Sequence, residues 1–280
     1  MWWYFLLILP VAVVLWLLYE WLEHTWIQYN TTNVESREFP KNKELRICVI
    51  SDLHNNHKNT EKLLRHIREF SPEVILLAGD MVDKHKIRQV HAKEFFNALK
   101  RLGIPVYYSA GNHELSFCEK HPEAWQEYVN NLPSGITFLD NRAVALEACQ
   151  EICISGLSLP RAFYKKGHLY TDMKDLPEYV LPEHQFHVLL AHHPEYAEQY
   201  GKYKPHLVVS GHLHGGLLRL PFIGGVVSPR LRLPACDAGL MELKNGSKLF
   251  VSRGLGSHTI PLRFFNRVEV NFLVLKGTKE

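Results

Sequence analysis

Short apolar runs alternating with helical patterns constrain this chain more than any other feature. Leu45 to Ile50, which includes Cys48 and Val49, Val74 to Ala78, and Ile104 to Ser109 each read as a buried strand. Between them, Leu63, Leu64 and Ile67 recur at helical spacing within residues 59–70, with Asn59 or Thr60 as N-cap, and Val90 to Leu102 forms a second helix. Strands that read as near-continuous hydrophobic runs are covered on both faces, so the alternation predicts an α/β fold with a largely parallel sheet. After Ser134 the runs Ile136 to Leu139, Ala143 to Leu146 and Ile152 to Ser155 are short and joined by turns, which predicts an antiparallel section. Phe186 to Ala191 and His206 to Ser210 return to the buried pattern, and the tail alternates, with Val268, Val270, Phe272 and Val274 on one face. No repeat or low-complexity linker divides residues 45–275, so a single domain is expected.

Composition narrows the class. The 280 residues are 46% hydrophobic and 22% charged, which is globular, and 32 basic against 29 acidic residues give a net charge of +3. That balance gives no reason to expect a dedicated nucleic-acid binder. Five cysteines, at 48, 118, 149, 153 and 236, are odd in number and lack a C-x-x-C spacing. They fit neither a disulfide framework nor a cysteine zinc site.

The amino terminus is different in kind. Trp2 to Tyr19 carries no charge and one helix-breaker, Pro10, and its eighteen residues at 1.5 Å rise reach about 27 Å, just enough to span a hydrocarbon core. Trp2, Trp3 and Tyr4 at one end and Tyr19, Trp21 and Trp26 at the other resemble interfacial aromatic belts. A cleaved signal peptide fits less well, since no Lys or Arg precedes the run and no small-x-small site follows it; a buried soluble helix is the remaining alternative. The expected organisation is therefore a single-pass transmembrane anchor over residues 1–22, an irregular polar juxtamembrane stem over 23–44, and a domain over 45–280. Arg37, Lys41 and Lys43 lie beyond the span among acidic neighbours and leave the side of the membrane open.

In an open α/β sheet, ligands collect beyond the carboxyl ends of the strands. Here the first strand ends in Ser51-Asp52-Leu53-His54, the second in Gly79-Asp80-Met81-Val82-Asp83, and the third in Gly111-Asn112-His113-Glu114. The strand at Phe186 to Ala191 ends in His192-His193-Pro194-Glu195, and that at His206 to Ser210 in Gly211-His212-Leu213-His214-Gly215-Gly216. Each block alone has a bland reading as an N-cap, a turn or a surface pair. Together, at successive strand ends, they offer carboxylate and amide oxygens with imidazoles and no thiolate. Such donors suit manganese, iron or zinc better than copper(I) or an iron–sulfur cluster. Seven candidate ligands exceed one site that keeps an open position, and two divalent metals sharing a carboxylate would use them all. Paired metals suit in-line displacement at phosphorus.

The blocks D-x-H, G-D-x-x-D, G-N-H-E, H and G-H-x-H, all present in order, resemble the calcineurin-like metallophosphoesterase superfamily from about Leu45 to Leu275. The segments S-D-L-H-N, V-Y-Y-x-x-G-N-H-E, G-H-L-H-G-G and V-S-R-G-L-G are similar to its membrane-associated bacterial branch. That branch includes envelope phosphodiesterases and UDP-diacylglucosamine pyrophosphatases. The resemblance implies a β-sheet sandwich flanked by helices (αββα), here preceded by one transmembrane helix. It implies one metal on Asp52, His54, Asp80 and His214, and a second on Asp80, Asn112, His192 and His212, with Asp80 bridging. His113 would not ligate; beside the phosphate it would protonate the leaving oxygen or carry charge near the transition state. Asp83 and Glu114 would lie behind the ligands, one of them orienting His113. The pair His192-His193 and the apolar Leu217-Leu218 after Gly216 depart from this branch's usual pattern.

Other residues carry less. His57, His66, His85, His91 and His121 read as surface histidines. Arg253 is equally a phosphate contact or a structural arginine, and Pro261 to Arg267, with Arg263, Phe264 and Phe265, reads as half-buried core rather than a lipid contact. The expected function is a membrane-anchored binuclear phosphoesterase, first a phosphodiesterase, in which a hydroxide shared by the two metals cleaves a P–O bond. A lipid-linked pyrophosphatase is the alternative, and a non-catalytic metal-stabilised membrane adaptor is the reading from another class. The expected partners are a phosphoester substrate and the cell membrane; oligomeric state is left open.

Overall fold

The computed structural model describes residues 2–56, 60–165, 173–181, 185–216, 218–220, 224–227, 236–256 and 263–278. A long helix, α1 (Trp2–Thr25), leads into β1 (Gln28–Ser36) and β2 (Glu44–Ile50). Then follow α2 (Thr60–Phe70), β3 (Val74–Ala78), α3 (Val90–Lys100), β4 (Val106–Ser109), α4 (Asn112–Lys120), α5 (Pro122–Asn130) and β5 (Ile136–Leu139). The second half contains β6 (Arg142–Leu146), β7 (Cys149–Leu157), β8 (Phe186–Ala191), β9 (Leu207–Ser210), β10 (Leu218–Leu220), β11 (Gly224–Val227), β12 (Gly239–Glu242), β13 (Lys248–Val251) and β14 (Glu269–Gly277).

All but β10 and β11 fall into two six-stranded sheets, ordered β1-β14-β2-β3-β4-β5 and β12-β13-β9-β8-β7-β6. The central pairings β2–β3, β3–β4, β7–β8, β8–β9 and β9–β13 are all parallel. Strand periodicity explains why the central runs are apolar throughout. Cys48, Ile50, Ile75 and Leu77 point to the helices, where they meet Leu63, Leu64, Ile67, Phe96 and Phe117. Ile47, Val49, Leu76 and Tyr107 point the other way and interdigitate with Ile152, Ile154, Val188, Leu190 and Val209 of the second sheet. The outer face of that sheet is covered by Phe163, Tyr196, Tyr200 and Tyr203, which sit on short 3₁₀ turns at Arg161–Tyr164, Pro194–Tyr196 and Gln199–Tyr203. The sandwich and its parallel core are as expected, with 3₁₀ turns where a second α-layer was implied.

Two expectations are corrected. Ile136 to Leu139 is not antiparallel: β5 runs parallel to β4, because α4 and α5 form a crossover long enough to return the chain. Antiparallel pairing in this region is confined to β6 with β7. Residues 23–44 are not an irregular stem either. The helix continues to Thr25, and β1 pairs with β14 from Gln28↔Glu269 to Ser36↔Gly277. As an edge strand it buries Val34 alone, so its polar sequence carried no strand signal. The N-cap candidate Asn59 and His57 lie outside the described residues; α2 begins at Thr60. Cys149 and Cys153 are both free.

On β8, His187 is buried, with Nε2 2.5 Å from Ser155 Oγ and Nδ1 3.0 Å from the Tyr203 carbonyl. Burial pushes this imidazole down to about 4. The folded state therefore favours the neutral ring, and stability is lost as pH falls from about 6.5 toward 4. Denaturation of wild type and His187→Gln at pH 7 and pH 5 should show wild type losing about 2 kcal/mol more than the variant.

Candidate metal centre

All five blocks converge at one end of the two sheets, beyond β2, β3, β4, β8 and β9. Backbone bonds tie the loops together before any side chain is considered. The Asp52, His54 and Asn55 amides donate to the carbonyls of Gly79 (3.0 Å), Asp80 (2.9 Å) and Met81 (2.8 Å), and the Gly211 amide donates to the His192 carbonyl (3.1 Å). Five donors, Asp52, His54, Asp80, His212 and His214, have positive φ between 50° and 71°. Left-handed backbone at several non-glycine residues is costly and persists where surrounding structure enforces it, commonly at functional sites. It turns each side chain off its strand axis and into the shared space.

That space is dense with donors. Asp52, His54 and His214 form one cluster and Asp80, His192 and His212 another; His54 and Asp80 also group with His113. His192 Nε2 lies 3.2 Å from Asp80 Oδ2 and 3.8 Å from Asp52 Oδ1, while His214 Nε2 lies 3.3 Å from Asp52 Oδ1. His54 Nε2 is 3.2 Å from His214 Nε2. Asp52, Asp80, His192 and His214 are buried. Burial tends to raise Asp80, but His192, His113 and His54 outweigh it and hold its carboxyl well below the usual range. Burial, with the Asp80 charge, pushes Asp52 up; His192 offsets this only in part.

The donor set fits a pair of divalent ions. Imidazole nitrogens and carboxylate oxygens crowd together at these distances, and Asn112 Oδ1 is buried with no hydrogen-bond partner among the described residues. A buried amide oxygen left so is costly unless something else meets it. His192 Nδ1 lies 2.7 Å from the Ala78 carbonyl and donates there, which leaves Nε2, 3.2 Å from Asp80 Oδ2, as the nitrogen directed into the cluster. The glycine of the G-N-H-E block is required by close approach: a Cβ on Gly111 would fall on Asp80 Oδ1 and lie 2.8 Å from His192 Cδ2.

Residues 45–216 match the family model for calcineurin-like phosphoesterases. The chain belongs to that family. It is accordingly a metal-dependent phosphoester hydrolase, and its clusters fit a dimetal site. It is 28% identical over 246 residues to a zebrafish transmembrane protein with a metallophosphoesterase domain, covering 83% of this chain but only 53% of that relative. An uncharacterized metallophosphoesterase of Aquifex aeolicus is 26% identical over 270 residues, covering 92% of this chain and 95% of its own. Among solved structures, TT1561 of Thermus thermophilus aligns with a TM-score of 0.46 and 13% identity over 76% of this chain and 91% of that one.

Several expectations about supporting residues are revised. Among the described residues, no hydrogen bond joins the His113 ring to Asp83 or Glu114. Glu114 is fully buried and clamps the loops, accepting from the amides of Asp80 (2.9 Å), Met81 (2.7 Å), Val82 (3.1 Å) and Gly111 (2.8 Å) and from the Tyr108 hydroxyl (2.7 Å). Asp83 accepts from the His85 amide instead (2.9 Å). His113 Nδ1 faces the Lys84 amide at 3.4 Å and His54 Nδ1 at 3.2 Å, and its own amide donates to Asp80 Oδ1 (2.7 Å). Arg253 is structural: its Nε donates to Glu269 (2.7 Å) and Nη2 to Gln28 (2.9 Å). Of the adjacent pair, His192 joins the donors, whereas His193 packs edge-on to Tyr196 and against the His212 ring. The surface reading holds for His85; His66, His91 and His121 are half-buried.

Tyr164 was not singled out by sequence. Its ring stands 5.4 Å from that of His212 and 6.3 Å from that of His192, walling the second cluster. A separate cleft of about 500 Å³ lined by Trp125, Leu132, Phe138 and Arg142 contains none of the donors.

Because Glu114 accepts five hydrogen bonds, Glu114→Gln should cost about 3 kcal/mol by leaving buried amides facing an NH₂ group. Tyr108→Phe, which removes one neutral partner, should cost about 1 kcal/mol. Chemical denaturation of the metal-free proteins measures both.

Proposed function

We propose that this chain is a membrane-anchored phosphodiester hydrolase with two divalent ions, one on Asp52, His54, Asp80 and His214 and the other on Asp80, Asn112, His192 and His212. The observation that carries the assignment is that Asp80 groups both with His192 and His212 and with His54, itself a member of the Asp52 and His214 cluster, while the Asn112 oxygen is left over for the second ion. When bound, the ions supply a nucleophile at neutral pH and positive charge for the attacking and leaving oxygens.

The chain's own residues do the rest. Asp80, with both clusters around it, sets their separation. His113 sits beside Asp80, with Nε2 4.0 Å from Oδ2, outside the set of ligands. Burial lowers this imidazole, and Asp80 counters only part of the effect, so the ring is held neutral. With the Lys84 amide facing Nδ1, the ring proton lies on Nε2, where it donates a hydrogen bond that stabilises the charge developing on the leaving oxygen. The diester preference is supported by charge. Among the described residues, the buried guanidinium groups beside the donors, Arg253 and Arg263, are committed to Glu269, Gln28 and backbone carbonyls, so neither is spare for the second charge of a monoester dianion.

Anchoring is supported by α1. Its window Ile8–Thr25 has a mean hydropathy of 1.2, and Ile8, Leu9, Val11, Leu15 and Trp16 are exposed around it, leaving an apolar surface that water does not favour. That α1 meets the domain beside His214 favours a second, narrower reading, a phosphoester carried on a lipid.

Full-length protein in detergent, loaded with manganese, should hydrolyse an aryl phosphodiester faster than an aryl phosphomonoester. Asp80→Asn should lose both turnover and full metal occupancy, and His113→Ala should keep its metal while kcat falls roughly 10²–10⁴-fold. An active Asp80→Asn protein, or a monoester preference, would overturn this reading.

A further inference from the structure

We propose that the last turns of α1 belong to the metal centre: Glu20 and Glu23 are positioning residues that hold, through Arg263 and Asn266, the loop carrying His214. The inference rests on the dimetal reading above. A lipid-facing helix would ordinarily end with its charges in water, yet Glu20 and Glu23 are 8% and 4% exposed. Buried carboxylates are expensive unless well partnered.

Apart from His24, whose Nε2 lies 3.7 Å from Glu20 one turn along the helix, their partners among the described residues lie in one segment 243 or more residues away. Glu20 accepts from the Arg263 amide (3.1 Å), and Glu23 from the Asn266 amide (2.6 Å) and Arg267 Nε (3.3 Å). The Val268 amide donates to the Glu23 carbonyl (3.1 Å), and the Phe265 amide to the Tyr19 hydroxyl (2.5 Å). The same segment then reaches the metal loop. Asn266 Nδ2 donates to the carbonyls of His214 (2.7 Å) and Gly216 (2.9 Å). Arg263, 2% exposed, places Nη2 3.3 Å from His214 Nδ1 and donates to the Arg253 carbonyl (2.9 Å) and to that of Gly256. Gly215, at φ +74°, lets the loop seat this closely, since a Cβ there would lie 2.5 Å from Asn266 Oδ1 and 2.8 Å from the Arg253 side chain.

The chain of contacts from α1 to a metal donor is therefore continuous, buried and only two residues deep. Losing the outer partners of a metal ligand commonly weakens metal binding 10–100-fold. The helix is then not a tether that can be cut without consequence; removing it would free Arg263 and Asn266 and loosen His214.

The test uses the full-length protein in detergent, comparing wild type with Glu20→Ala/Glu23→Ala and with Glu20→Gln/Glu23→Gln. Manganese titration and metal content should show the alanine pair holding one ion normally and the other roughly 10–100-fold more weakly. Amide exchange in metal-free protein should be faster across His212–Gly216 in the alanine pair and unchanged in α3. The glutamine pair keeps acceptor oxygens for the Arg263 and Asn266 amides and should restore both. Should the alanine pair not fold, Asn266→Leu cuts the bonds to His214 and Gly216 directly and is read in the same way. Wild-type affinity for both ions with unchanged exchange would overturn the inference. A wild type that binds no manganese would overturn the dimetal reading instead, and the metal-free exchange would still decide whether α1 holds the loop.

Discussion

Two carboxylates, Asp52 and Asp80, are buried among five imidazoles at the shared end of two sheets, and the rest of the structure is arranged around that concentration of charge. Protein alone satisfies it poorly: Asp52 is driven upward by burial and by its neighbour, while Asp80 is held down only by the histidines facing it. Divalent cations would resolve this conflict, compensating both carboxylates and taking the imidazoles as neutral ligands. The backbone is what keeps the groups together in the meantime. Glu114 gathers the amides of two loops onto one carboxylate, and five donors are held in left-handed conformation by the packing around them.

Much of this was legible in the sequence, for a definite reason. A central strand in a covered parallel sheet must be apolar on both faces, so its end is marked where polar residues resume, and those polar residues are the donors. Asp52, Asp80, Asn112, His192, His212 and His214 all follow such runs. The same logic failed where a strand is not covered. Gln28–Ser36 is an edge strand with one buried residue, so it read as loop. Ile136 to Leu139 was placed in the wrong pairing because four residues show burial but not direction; direction came from the α4–α5 crossover before it.

Supporting residues were hidden for a different reason. Glu114 was visible as part of its block, but its function lies in accepting backbone amides, which no side-chain pattern encodes. The contacts of Glu20 with Arg263 and of Glu23 with Asn266 join positions 243 residues apart, and neither partner sits in a motif. Hydropathy reading separates an apolar helix from the domain that follows it, because it sees composition and not contact. In the folded chain the boundary falls inside the helix, between exposed apolar residues and residues packed on the 263–268 segment. Fold, helix and site are thus one structure rather than a domain on a leash.

The central claim is that Asp80 is shared by two ions. Anomalous diffraction from crystals of the full-length protein grown with manganese tests it most directly. Two peaks are expected, both within bonding distance of Asp80, one also reached by Asp52, His54 and His214 and the other by Asn112, His192 and His212. A single peak, or two peaks of which only one touches Asp80, would contradict it.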